Sequence, residues 1–412
     1  MATSMSLPFD QFQYVWLHPF VWYVALQMPA GHPLISLGIF QTYYKDTLGF
    51  SPSHVSWIGT IQLFLLFFVG VFSGRAVDAG YYRHTLVIGQ VCQLIGVFTT
   101  SLCTEYYELL LSQGILQGLG NGLLFAPAVT LVSSYFAPNR RAFALSLLAC
   151  GGATGGMVYP AIAKTLLPKM GFSWTVRCMG FVMLGTHVAV CPFLKPRPRG
   201  TLIKRSLLDP TAFRDVPYLL FCIGVFGTCW GIFFAFFYVR SYAREILHIS
   251  DDTSFTLILI INSAGIPGRV IPCILADSYS DTLIVFVPFV AVTGVLLLVW
   301  TAVHSVVGYY VWVAVYGFWA GGAQSLFQAA ASSFSDDPER LGIRIGMVCT
   351  VVSFACLSGA PIAGTLISAR DGSYVAAQIF GGVVMLGGSV FLLAAKVALQ
   401  KKRKASSLHR VL

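Results

Sequence analysis

Charge is scarce in this sequence: only 10% of its 412 residues are Asp, Glu, Lys or Arg, against roughly 25% in a soluble globular chain. With 56% hydrophobic residues and a mean hydropathy of +0.76, it has too few charges to coat a water-exposed core of this size, which excludes an ordinary soluble protein. Cysteine pairs are absent. The ten cysteines stand singly, mostly inside apolar runs (Cys92, Cys150, Cys222, Cys349, Cys356), and none forms Cys-x-x-Cys, so they read as reduced core residues. His32, His187 and His304 are isolated and lack metal-ligand spacing. There is no His-Glu-x-x-His, His-x-x-x-His or Gly-x-Ser-x-Gly, so no enzyme chemistry, metal or cofactor is expected. Asn-x-Ser/Thr acceptors are missing as well. Met1 to Gln13 carries no Lys or Arg, so it reads as a short cytoplasmic leader rather than a secretory signal.

What is abundant is long apolar sequence. A membrane-spanning helix needs about 20 mainly apolar residues. Windows of that length fall near 55–74, 85–102, 108–136, 142–167, 174–194, 216–240, 253–276, 283–302, 306–333, 342–368 and 373–396. A further one near 15–44 is interrupted by Pro19, Pro29, Gly31 and Pro33, and reads either as a broken first helix or as an altered version of a normal one. The expected fold is an all-α membrane protein of twelve transmembrane helices in two pseudo-symmetric six-helix bundles, 1–194 and 216–397. A Pro- and Arg-rich cytoplasmic linker, 195–215, joins them, with a short amphipathic helix possible around Ile203–Phe213, and a basic cytoplasmic tail, 398–412, follows.

The net charge of +10 does not point to nucleic acid, because of where it lies. With the N-terminus inside, the cytoplasmic segments collect Arg75, Arg83, Arg140, Arg141, Arg340 and Arg344, the linker arginines and lysines, and the run Lys401–Lys404. The outer loops hold only Lys45, Lys164, Lys169, Arg240, Arg244 and Arg370. This is the positive-inside bias, and the tail reads as a topology anchor near anionic lipid. Gly118-Leu119-Gly120-Asn121-Gly122 superficially suggests a nucleotide loop, but it lies in an apolar helical run with no preceding strand. Glycines four apart, such as Gly151/Gly155 and Gly152/Gly156, instead mark faces where helices approach closely.

The sequence is also written twice. Gly74-Arg75-Ala76-Val77-Asp78 closes one apolar run, and Gly268-Arg269 with Leu275-Ala276-Asp277 closes another about two hundred residues later. Pro138-Asn139-Arg140-Arg141 is echoed by Pro338-Glu339-Arg340. Such doubling in an apolar chain is the usual plan of a secondary transporter. Gly74 to Arg83, with Asp78 and Gly80, resembles the loop signature of the major facilitator superfamily, although Ala79 stands where many members have a basic residue. There Asp78 can accept hydrogen bonds from the amides of a helix start, with Arg83 as the opposite charge, in a latch made in one conformation and broken in the other.

Within that superfamily the stretches Gly38-Ile39-Phe40-Gln41-Thr42-Tyr43-Tyr44, Ser56-Trp57-Ile58-Gly59 and Gly268-Arg269-Val270-Ile271-Pro272 resemble the fungal relatives of monocarboxylate porters, over about residues 34–398. The resemblance implies that Arg269 binds a substrate carboxylate and takes part in proton coupling. Guanidinium suits that task through bidentate bonding, and charge at membrane depth is a functional signal. The competing reading of Arg269 is a structural residue that caps a helix or pairs with Asp277. Two departures stand out: Gly265 and Gly38 occupy positions where the porters carry an acid and a lysine, and no Asp or Glu sits clearly in the middle of any helix.

Asn262, two turns before Arg269, together with Asn121 and Gln324, completes the expected substrate-binding set; each amide also has a bland reading as a helix-joining side chain. Gly74, Asp78, Gly80, Arg83, Gly268 and Asp277 form the expected gating set. The expected partners are a small-molecule substrate, a proton as candidate coupling ion, and the lipid bilayer, with no nucleic acid and a monomeric protein. The expected function is alternating-access transport of a small organic acid or monocarboxylate-like metabolite. The alternatives are efflux of a fungal secondary metabolite without carboxylate specificity, and a membrane sensor on a transporter scaffold. The plasma membrane is the expected site, with the vacuolar membrane as the other.

Overall fold

The computed structural model describes residues 40, 43–44, 47–50, 52–135, 140–191, 209–279, 281–334 and 338–408. The expected first helix near 15–44, most of the linker and the last four residues therefore lie almost wholly outside the described residues. In lipid every backbone polar group must be satisfied within the chain, which leaves helices as the form for single apolar runs. The described residues contain helices and no strand. In chain order these are α1 (Pro52–Asp78), α2 (Tyr82–Thr100) and α3, a continuous run of Tyr106–Leu109, π-helical Leu110–Leu116 and Gln117–Tyr135. Then come α4 (Arg141–Val190), α5 (Val216–Glu245), α6 (Asp251–Tyr279), α7 (Thr282–Trp300), α8 (Val306–Ala331), α9 (Pro338–Ser368) and α10 (Val375–Leu408).

Nine described helices are long and apolar enough to cross a membrane. Two adjustments bring this close to the sequence expectation. First, α2 is also long enough at 19 residues, and the Gln90 and Gln93 that lower its hydropathy are both buried. Second, the 50 residues of α4 would reach about 75 Å if straight, over twice a hydrocarbon core of ~30 Å. The chain turns at Gly171, whose φ of 72° and ψ of 179° are not helical. Residues with a Cβ rarely adopt that conformation, and glycine does so freely. The second arm returns far enough that Val190 joins one buried cluster with Ala144, Leu145 and Leu148 of the first. Helix α10 continues through the basic run to Leu408.

Two seams join the first group of helices to the second. Along one, α1 meets α9, with Phe64 and Phe68 against Phe354. Along the other, α4 runs antiparallel to α6. Its contacts fall at Phe143 with Asp277, Cys150 with the Ile266 carbonyl, Met157 with Ser263, and Lys164 over the Phe255 ring. The α4 positions recur every seven residues, the spacing that keeps one helical face against a partner. Gly151, Gly155 and Gly156 of α4 are also buried.

Close backbone approach also positions α6 on α8. A Cβ at Gly268 would overlap the Phe318 carbonyl, and one at Gly317 would overlap the Ile261 carbonyl. Both obstacles are main chain, so no side-chain rotation relieves them. Gly268→Ala is therefore expected to force α6 off α8 and cost about 1–3 kcal/mol or more as overpacking. A fall in thermal midpoint and in monodisperse yield in detergent would show it; an unchanged midpoint would mean the two helices are not seated this closely.

Candidate functional site

The seam helix α6 sets the site. Asn262 and Arg269 are seven residues apart, which places them on one face about 10 Å apart along the axis. Both line a cavity of about 190 Å³ between the two helix groups. The first group contributes Leu63, Leu66 and Phe67 of α1, Phe125 of α3, and Leu145 to Gly152 of α4; the second contributes Phe233 and Phe236 of α5, Phe286 of α7, and Gln324, Phe327 and Gln328 of α8. Aromatic and aliphatic walls with a few convergent polar groups are the usual character of a small-molecule site.

Arg269 is buried, and its Nη2 donates a 2.8 Å hydrogen bond to Oε1 of Gln324. Its Nη1 has no hydrogen-bond partner among the described residues. The main chain around it is also fixed, since Ser325 Oγ donates to the Arg269 carbonyl at 3.1 Å. A Cβ on Gly265 would lie 2.5 Å from Nη1. The guanidinium thus occupies the space beside the position where the porter resemblance implies an acid, and its partner is a neutral amide. An unpaired buried cation is costly, and a bound anion would relieve it.

Of the expected binding set, the structure brings Arg269, Asn262 and Gln324 to one cavity. Asn262 Nδ2 also bonds back to the Ile258 carbonyl at 2.9 Å. Asn121 is elsewhere: its Oδ1 accepts from Nε2 of Gln93, joining α3 to α2. It belongs to an amide row on α3, where Gln113 accepts from Tyr44 and Gln117 meets Gln62 and Thr100. Four-residue spacing aligned these amides on one face; which way the face pointed was set only by packing. His187 is buried in α4 outside the cavity lining, and neither ring nitrogen has a partner among the described residues.

Of the gating set, Asp277 holds a helix start. Its carboxylate accepts from the backbone amides of Ala142 at 3.2 Å and Phe143 at 2.9 Å, in the first turn of α4. These are orphan amides at the positive end of a helix dipole. Asp78 lies 4.0 Å from Arg75. Gly80, with φ of 91°, makes the turn into α2, and Arg83 is exposed on it. Gly268 sits in the contact with α8 already described, and a Cβ on Gly74 would lie 3.5 Å from that of Ala126 on α3.

Asp277→Ala removes a cap worth about 0.5–2 kcal/mol that spans the two helix groups. It is expected to shift the balance toward the cytoplasm-open form by about tenfold. Alkylation of the cavity-wall Cys229 by a membrane-impermeant maleimide from the cytoplasmic side should speed up accordingly. An unchanged labelling rate would show that this contact does not hold the seam shut.

Two features escaped sequence reading. Arg344, grouped there with loop charges, is buried. It binds Asp209 at 3.1 Å, Asp215 at 2.7 Å and the Phe334 carbonyl at 2.7 Å, and Lys402 of α10 joins through Asp215 at 2.9 Å. Burial opposes the charge on Asp209, but hydrogen bonds from Thr211 and Arg344 outweigh it and hold that carboxyl below the usual range. At the opposite end of the seam, Arg240 is buried beside Ser254 and lies 6.0 Å from the Phe255 ring, which Lys164 of α4 also covers at 5.4 Å.

Membrane-crossing helices, two seams running their length and a cavity between them holding one buried arginine are the parts of a membrane carrier. The sequence profile of the Major Facilitator Superfamily matches residues 34–360, and the chain belongs to that superfamily of transporters. An MFS-type transporter of Gibberella zeae is 44% identical over 88% of this chain and 82% of its own length. The agnestins efflux protein AgnL12 of Paecilomyces divaricatus is 31% identical, covering 89% of this chain and 83% of itself. The aspyridones efflux protein apdF of Emericella nidulans is 32% identical, covering 88% and 74%.

Proposed function

We propose that this transporter exports a fungal secondary metabolite that carries one acidic group on a bulky apolar body, by alternating access across the plasma membrane. The export direction and metabolite class are supported by similarity to proteins named for the efflux of agnestins and of aspyridones. The acidic group is supported by one observation: Arg269 lines an apolar, aromatic cavity, and its Nη1 has no hydrogen-bond partner among the described residues. A carboxylate or enolate oxygen there completes the guanidinium fork that Gln324 half fills. The phenylalanines of both helix groups then close on the remainder, which favours a larger body than a short monocarboxylate has. Rocking of one helix group against the other, with the Asp277 contact broken and remade, carries the site from one side to the other.

The test is binding to purified protein by tryptophan quenching. 2-Naphthoate is expected to bind at least tenfold more tightly than 2-naphthamide, the neutral analogue of the same shape, and far more tightly than lactate. Equal affinity for acid and amide would move the reading to export of an uncharged metabolite. Lactate binding as tight as naphthoate would favour a small-monocarboxylate porter.

A further inference from the structure

The charges in and around the cavity bear on how transport is driven. The sequence contains 16 Asp and Glu, and every acid among the described residues sits at a helix end or in a loop. Along the chain the nearest to the site is Asp277, eight residues and about 12 Å beyond Arg269 on α6, where the α4 amides hold it. Arg269 is the charged side chain of the cavity lining, and its partner Gln324 cannot take up a proton. Arginine itself stays protonated in proteins. His187 is buried within its own helix group, outside the lining. Among the described residues the cavity therefore carries a fixed positive charge and no carboxylate to alternate between protonated and ionised forms as the site changes sides.

We propose that the protein is an electrogenic uniporter: each cycle moves one organic monoanion outward with no coupling ion, and the membrane potential supplies the driving force. This rests on the anionic-substrate reading given above. In the loaded carrier the anion cancels the charge of Arg269, so the loaded site crosses the field as a neutral unit. In the empty carrier the uncancelled guanidinium returns inward, down the inside-negative potential. The sum of the two steps is one negative charge moved out. A potential of 100 mV acting on one charge sets a distribution ratio of about 50-fold.

The test uses the wild-type protein in liposomes with 2-naphthoate as the probe and protein-free liposomes as the blank. A potassium diffusion potential, interior positive, is set with valinomycin at equal pH on both sides. The expected result is protein-dependent accumulation of naphthoate inside, approaching about 50-fold per 100 mV, and none driven by a pH gradient at zero potential. A uniporter's steady state does not depend on its orientation in the liposome, so mixed insertion does not blur the result. Accumulation that follows the pH gradient and ignores the potential overturns the proposal in favour of proton coupling. Flux that occurs only with anion on both sides overturns it in favour of exchange. Either outcome, with naphthoate still binding more tightly than naphthamide, removes the driving mode and leaves the anionic-substrate reading standing. Equal binding of the two removes that reading and this proposal with it.

Discussion

Arg269→Gln is expected to lower 2-naphthoate affinity by at least about 30-fold while raising the thermal stability of the empty protein. The loss follows from the geometry. One nitrogen of the guanidinium is bonded to Gln324 at 2.8 Å and the other has no partner among the described residues. A charge-assisted pair buried in an apolar cavity is worth about 2–5 kcal/mol when truncated, or roughly 30-fold to several thousand-fold in affinity. The gain follows from the same facts, since the empty site keeps a desolvated cation beside a neutral amide and glutamine removes that cost. Arg269→Lys keeps the charge but not the planar fork, so its affinity should fall between the two. Opposite movement of stability and binding is the diagnostic result. A parallel fall in both would assign Arg269 to holding α6 on α8, the structural reading that its sequence position also allowed.

Arg344→Met should be the most destabilising single change at the linker end of the helices. It leaves the carboxylates of Asp209 and Asp215 buried, with the half-exposed Lys402 as the remaining cation on Asp215 among the described residues. Breaking a buried ion pair from one side typically costs about 3–5 kcal/mol. The network also fastens the approach to α5 onto α9 and α10, and Tyr218 adds both its ring over the guanidinium and a hydrogen bond to the Arg344 carbonyl at 2.8 Å. The pH dependence has a definite sign. In the wild type the Asp209 carboxyl is held low, so its stabilising share is complete above the ordinary carboxylate range and fades as pH falls through the depressed value. In the variant that support is gone, and protonation relieves the stranded charge instead. The penalty of Arg344→Met in thermal midpoint should therefore shrink on acidification, and Arg344→Met/Asp209→Asn/Asp215→Asn should recover much of it at neutral pH. A penalty that is small and independent of pH would show that the cluster is solvated.

Most of the helices were legible before the structure, and for a simple reason. A run such as 283–302 or 373–396 is too apolar for water and too long for a loop, and in lipid it has no option but to satisfy its own backbone. Even the break within α4 had a local signal in Pro168 and Gly171. The site was legible only in part. Arg269, Asn262 and Gln324 stood out because polar groups inside apolar runs are rare, yet the same rule singled out Asn121, which packing turned toward Gln93. The doubled Gly…Asp pattern marked Asp78 and Asp277 alike, and packing sets Asp277 on the amides that start α4. Arg344 gave no sign at all, because its partners lie 135 and 129 residues away.

The sequence by itself determined an all-helical membrane carrier with a cation placed at depth. That much follows from hydropathy, proline and glycine positions and the cost of charge in hydrocarbon, all of which act locally. Only the tertiary structure decided that the cation sits beside Gly265 with Gln324 as its partner, that Asp277 caps α4, and that Arg344 is a buried clasp. Those outcomes depend on which helices touch and at what register, and that is fixed by close backbone contacts such as Gly268 against Phe318, between residues far apart in the chain.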